Sequence, residues 1–177
     1  MIAYAITDPS TLDFTHLERD LKRFATKASM IVYRDKNTSE YATQAKAFLL
    51  EAKGFDKVLL HSDYRLAHLL NVQGVHLKST QFSDIKKAKD LELFVVVSTH
   101  TFEEAKHAQE LGADMLTFSP IFKTPNKGEA LGVEVLEKLV ASVTIPVIAL
   151  GGILEQSQIL ACEKAGAEGF ASIRHFA

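Results

Sequence analysis

Short apolar runs alternate with longer amphipathic segments along the whole chain. Each run has strand length and each segment after it has helix length. The pattern predicts strands at Ile2–Thr7, Met30–Arg34, Lys57–His61, Gly74–Leu77, Leu93–Ser98, Met115–Ser119, Pro146–Leu150 and Gly169–Ile173. It predicts helices at Thr11–Thr26, Ser39–Lys53, Tyr64–Leu70, Phe82–Leu91, Thr101–Leu111, Gly132–Val140 and Leu154–Ala165. Thr101 precedes Glu103 and Glu104, acids suited to the positive end of a helix dipole. Gly112 and Gly166 stand where helix C-caps belong. Eight strands alternating with helices predict a single-domain (β/α)8 TIM barrel over residues 1–177, with a doubly wound open sheet as the alternative. Only Arg174-His175-Phe176-Ala177 follow the eighth strand, too few for an eighth helix. Parallel barrels are covered from outside. The missing helix therefore predicts an exposed apolar strip or a partner subunit over it, and a homodimer is the favoured expectation.

Composition narrows the function class. At 177 residues the chain has ample length for one core, and 47% of it is apolar. A net charge of −2 argues against a nucleic-acid binder, which carries a basic face. No apolar run approaches membrane-spanning length, and the N-terminal MIAYAITDPS reads as a first strand rather than a secretory signal. The single cysteine, Cys162, leaves no disulfide framework or thiolate metal cluster; it reads as a small hydrophobe in a helix. A cytoplasmic setting and no resident cofactor are expected.

Candidate chemistry gathers at the predicted C-terminal ends of strands. In GADMLTFSPIFKTPNKG the sixth run ends in a loop bearing Thr124, Asn126 and Lys127, and in IPVIALGGI the seventh ends in Gly151-Gly152. Parallel strands place both ends on one rim, where an ammonium and bare backbone N–H groups suit a phosphate-bearing small molecule. Arg34 and Lys36 are two apart at a strand end and share a face. Of the seven histidines, His76 reads as a core histidine, while His68 and His107 fall on helices facing solvent. His61 and His100 reach the rim, where an imidazole can move protons near neutral pH. No histidine pair shows zinc spacing, and Ser98 lacks a Ser–His–Asp arrangement.

In their order and spacing, ITDPS, YRDK (Tyr33–Lys36), GVHL (Gly74–Leu77), STHTFEEAKHAQELGAD (Ser98–Asp114), FSPIFKTPNKG and ALGGI resemble the thiamine phosphate synthase/TenI family of (β/α)8 barrels, over nearly the whole chain. The resemblance implies a thiazole phosphate ligand: Gly151, Gly152 and Arg174 at the phosphate, Lys127 and Arg34 with Lys36 at a carboxylate or the ring, Ser98 donating a hydrogen bond. Arg174 has the alternative of capping the chain end in solvent. The family's synthase branch holds magnesium pyrophosphate with an Asn-Asp pair after strand three and an acid after strand four. Here His61-Ser62 and Lys78-Ser79-Thr80-Gln81 occupy those places, leaving Asp63 and Asp8 for a shifted site. The TenI branch resembles this chain better and implies a metal-free thiazole tautomerase. Its histidine after strand six is Pro120 here, so His100 or His61 is the expected acid/base. The alternatives are a magnesium-dependent thiamine phosphate synthase, a non-catalytic thiazole phosphate binder or regulator, and a phosphosugar isomerase on the same scaffold.

Overall fold

A computed structural model describes all of residues 1–177. Eight parallel strands close into a barrel in sequence order: β1 Ile2–Ile6, β2 Met30–Tyr33, β3 Lys57–His61, β4 Gly74–Leu77, β5 Phe94–Thr99, β6 Met115–Phe118, β7 Val147–Leu150 and β8 Gly169–Ser172. Seven helices surround it: α1 Leu17–Ala25, α2 Tyr41–Glu51, α3 Tyr64–Leu69, α4 Ile85–Asp90, α5 Phe102–Glu110, α6 Val133–Ser142 and α7 Gln156–Lys164. The TIM barrel is the fold, and the open-sheet alternative is set aside because β8 pairs β1, Tyr4 opposite Ala171.

Side chains alternate across each strand, so two cores form. Tyr4, Met30, Leu59, Val96, Met115 and Ile148 fill the barrel, while Ala5, Ile31, Leu60, Val97 and Leu116 face the helices. The inward set, continued past the strand ends, reaches Arg34, Lys36, Lys78, His100 and Ile173 by the same two-residue step. Strand register therefore decides which polar residues reach the mouth of the barrel.

Most strand ends lie within a residue of the sequence pattern, but several helix starts do not. α1 begins at Leu17 rather than Thr11 because short polar side chains bind the intervening backbone. The Asp8 amide donates to Thr11 Oγ1 (3.0 Å), Thr15 N to Asp13 Oδ1 (2.9 Å) and Asp13 N to Asp20 Oδ2 (2.8 Å). α2 begins at Tyr41 rather than Ser39, after the Asp35 carboxylate takes the amides of Asn37 and Thr38. The Phe82–Leu91 segment opens as a 3₁₀ turn, Phe82–Asp84, before α4. α7 begins at Gln156, since Gln158 Oε1 receives the amides of Leu154 and Glu155. The caps at Thr101 (accepting Glu104 N, 3.1 Å) and at Gly112 and Gly166 (φ +100° and +90°) are as expected.

Of the two expectations for β8, an exposed apolar strip or a partner subunit, the exposed strip is not there. Phe176 is fully buried and stacks on Phe170, ring centroids 5.6 Å apart, and His175 meets Phe170 edge-on at 5.3 Å. The His175 amide donates to Ser172 Oγ (3.2 Å), and its Nδ1–H to the Leu154 carbonyl (3.0 Å). His175 and Phe176 thus cover β8. Cys162 is buried in α7, its thiol pushed up to about 11 by burial, as a packed small hydrophobe should be.

Candidate active site

The C-terminal mouth of the barrel holds a cavity of about 620 Å³. Its chemistry is one-sided. Arg34, Lys36, Lys78 and Lys127 line it together with His61, His76 and His100, and none of its 19 lining residues is an Asp or Glu. The Arg34 guanidinium, partial burial, and the Lys127 and Lys78 ammonium groups push the Lys36 ammonium below its ordinary range. Four like charges crowd one mouth in a chain whose net charge is −2. Such a cavity favours a ligand carrying more than one negative group.

The imidazoles differ sharply. His61 is pushed down to about 2, foremost by burial and then by His76, Arg34, Lys36 and Lys78. His76 is pushed down to about 3 by burial and by Arg34. Both stay neutral through the physiological range, and His61 is a poor base. His76 is the hydrogen-bonded core histidine expected, with a further feature: Nδ1 lies 2.7 Å from the Tyr4 hydroxyl and Nε2 lies 2.9 Å from Ser98 Oγ. Ser98 itself lines the cavity.

His100 is held from both ends. Its amide donates to the Glu104 carboxylate (2.7 Å), the acid that Thr101 places in the first turn of α5. Its Nδ1 lies 2.9 Å from the Ser119 carbonyl, an oxygen that can only accept, so Nδ1 carries the proton. The other ring nitrogen, Nε2, is a free lone pair on a residue lining the cavity. The backbone contact thus sets the tautomer of this imidazole.

The two glycines divide. Gly151 lines the cavity in the left-handed region (φ +105°), and a Cβ there would stand 2.7 Å from Pro120 Cα. Gly152 (φ +67°) does not line it; a Cβ there would stand 2.5 Å from the Lys123 carbonyl, so this glycine serves the close approach of the loop after β6. The amides of Gly151, Gly152, Ile173 and Arg174 donate to nothing within the protein, which leaves N–H groups available at the β7 and β8 ends where barrels bind phosphate. The Arg174 side chain is exposed and outside the cavity; the neighbouring Ile173 takes the inward position. Thr124 and Lys127 line the cavity, whereas exposed Asn126 (φ +59°) makes the turn between them, a conformation asparagine tolerates.

Lys78 also lines the mouth, a residue that the sequence motifs do not mark. The signal was the inward step Gly74, His76, Lys78 along β4 and its continuation. Ser62 and Gln81 also acquire a role that only the fold gives them. Ser62 Oγ donates to Gln81 Oε1 (3.0 Å) and Gln81 Nε2 donates to the Ser62 carbonyl (3.0 Å), stapling the loops after β3 and β4 with neutral groups.

A magnesium ion held by this mouth would need carboxylates, and the donor set does not fit. Asp63 Oδ1 caps α3 by accepting the Leu66 amide (2.9 Å), and Asp8 Oδ1 accepts the Ser10 amide (2.9 Å). Asp63 shares a smaller neighbouring hollow with Asp35, Lys36 and Lys78. Nowhere do three His, Cys, Asp or Glu side chains converge as a metal site would require. No helix is long and apolar enough to cross a membrane.

With this geometry in view, the comparisons with known proteins are specific. The sequence model of a family described as thiamine monophosphate synthase matches residues 3–176. The candidate thiamine-phosphate synthase 2 of Aquifex aeolicus (strain VF5) is 34% identical, the match covering 98% of this chain and 96% of that protein. The thiamine-phosphate synthase of Caldivirga maquilingensis is 32% identical over 96% of this chain and 85% of its own length. Among solved structures, a thiamine phosphate pyrophosphorylase from Pyrococcus furiosus superposes with a TM-score of 0.82 at 28% identity, over 97% of this chain and 85% of that one.

Proposed function

We propose, given that this chain belongs to the thiamine monophosphate synthase family, that it binds a thiazole carboxylate phosphate and catalyses a metal-free proton shift that makes the ring aromatic. Membership places the chain in thiamine biosynthesis; the reaction is our reading of its cavity. The observation that carries it is a mouth lined by four cations and no acid, with one imidazole presenting a free ring nitrogen. The free amides after β7 and β8 suit the phosphate, while Arg34, Lys36, Lys78 and Lys127 suit the carboxylate and the remaining charge.

The proton shift balances without a co-reactant. The C–H bond at the saturated ring carbon breaks as His100 Nε2 takes the proton and becomes imidazolium, and a new C–H bond forms at an exocyclic carbon as the proton is returned, leaving every ring carbon sp2. The Ser119 carbonyl holds the Nδ1–H throughout and stabilises the imidazolium. His100 is preferred to His61 because burial, and then the His76 ring and the nearby cations, oppose protonation of His61.

The names of the relatives favour a second reading, the joining of a pyrimidine pyrophosphate to thiazole phosphate. One experiment separates the two. Ring aromatisation is followed spectroscopically with the non-aromatic thiazole carboxylate phosphate in EDTA, and condensation is assayed in parallel with magnesium. Acceleration in EDTA that His100→Ala abolishes supports the proton shift. Magnesium-dependent condensation without aromatisation refutes it. Saturable binding with neither activity also refutes it and marks a binder that has lost catalysis.

A further inference from the structure

The Tyr4–His76–Ser98 line joins the interior of the barrel to the floor of the cavity, and its protons can be assigned. Tyr4 is fully buried, and its hydroxyl has one hydrogen-bond partner, His76 Nδ1 at 2.7 Å. A phenol proton in such a place must have an acceptor, since an unmade bond costs about 1–3 kcal/mol. Only the Nδ1 lone pair is on offer. The proton of the neutral imidazole therefore sits on Nε2, which lies 2.9 Å from Ser98 Oγ and donates to it. The reverse arrangement, Nδ1–H donating to the Tyr4 oxygen, would strand the phenol proton. It would also consume the Ser98 proton inward, toward Nε2.

From this accounting we infer that Tyr4 and His76 are positioning residues that lock the Ser98 hydroxyl as a hydrogen-bond donor into the cavity, so that the ligand atom seated there is an acceptor, an anionic carboxylate oxygen. The lock tells apart ligands that the cations alone would not. A phosphate, a carboxylate or any other anion satisfies Arg34, Lys36 and Lys78, but a group with only N–H to offer leaves the Ser98 proton unpaired. The lock also holds as pH changes. The groups facing His76 are Tyr4, Ser98, the neutral His61 ring at 5.9 Å and the Arg34 charge, none of which stabilises an imidazolium. Naming the acceptor as a carboxylate rests on the proposed function; the direction of donation does not.

The test has two arms. In the free protein with ¹⁵N-labelled histidine, the His76 resonances should show the neutral Nε2–H tautomer from pH 5 to pH 8, and Tyr4→Phe should let the Nδ1–H tautomer appear. An Nδ1–H tautomer or an imidazolium in the parent protein overturns the inference. In the second arm, binding of thiazole carboxylate phosphate is compared with that of thiazole phosphate lacking the carboxylate. Ser98→Ala should weaken the first about tenfold or more, as loss of a hydrogen bond to a charged group does, and leave the second unchanged. Equal weakening of both overturns the carboxylate assignment. If neither thiazole binds the parent protein, the proposed function fails, while the ¹⁵N arm still decides the direction of donation.

Discussion

Replacing Phe176 with alanine should cost the protein about 3 kcal/mol. The ring is fully buried, stacked on Phe170 at 5.6 Å and 14° between planes, one residue from the chain end. Removing a buried phenylalanine costs roughly 3–5 kcal/mol, the lower end applying where the surroundings can settle into the space. In a domain of this size each kcal/mol moves Tm by about 2–4 °C, so the midpoint should fall by roughly 6–12 °C. Thermal melts by far-UV circular dichroism and urea titrations with an unchanged m-value measure it. Phe176→Leu should recover most of the loss. A change below about 1 kcal/mol would refute the argument, because β8 would then be covered by something other than its own tail. Melts at several protein concentrations separate that cover from a second copy: a midpoint independent of concentration favours the tail.

Three more outcomes follow from the site. His100→Ala should lower turnover by roughly 10²–10⁴-fold with little change in ligand affinity, measured by comparing single-turnover rates with direct binding; an equal loss of affinity would make His100 a binding residue. Ligand binding should survive EDTA and weaken as salt is added, since side-chain cations and backbone amides, with no metal, hold the charge; titration calorimetry in EDTA reads this, and collapse of binding there would reinstate a metal. The folded protein holds His61 and His76 far below the ordinary histidine value of about 6.5, so their neutral forms belong to the native state. Their contribution is full above about pH 6.5 and is lost as pH falls. Between pH 7 and pH 5 each should remove up to about 2 kcal/mol, so His61→Gln should flatten the urea midpoint's pH dependence; parallel profiles would count against the burial argument.

Much of the architecture was legible because strand parity is a rigid rule. Arg34 with Lys36 and Ser98 with His100 sit two apart, and the fold brings all four into the cavity. The same rule applied to Gly74 and His76 would have delivered Lys78. What stayed hidden depended on contacts between distant segments. Tyr4, His76 and Ser98 come from three strands, and the Ser62–Gln81 staple joins two loops, so neither shows in local pattern. Helix starts failed for a local reason of another kind: Asp8, Asp13 and Asp35 bind nearby amides and hold off helix formation where periodicity alone would begin it. Gly152, expected at the phosphate, answers the close approach of the Lys123 carbonyl, and Asn126, expected among the ligand-binding residues, makes a left-handed turn.

The crowding of Arg34, Lys36, Lys78 and Lys127 makes the folding equilibrium itself an anion sensor. Without a ligand, the native state carries a repulsion that the unfolded chain, with its charges spread apart, escapes. Any oxyanion that enters the mouth relieves it, so a melt in phosphate or sulfate buffer should lie above one in an amine buffer of equal ionic strength. The increment should grow as RT ln(1 + [L]/Kd), reaching about 2.7 kcal/mol at a hundredfold excess over Kd. A panel of simple anions, ranked by the midpoint each produces, would then give the charge number and spacing that the cavity prefers before any substrate is in hand.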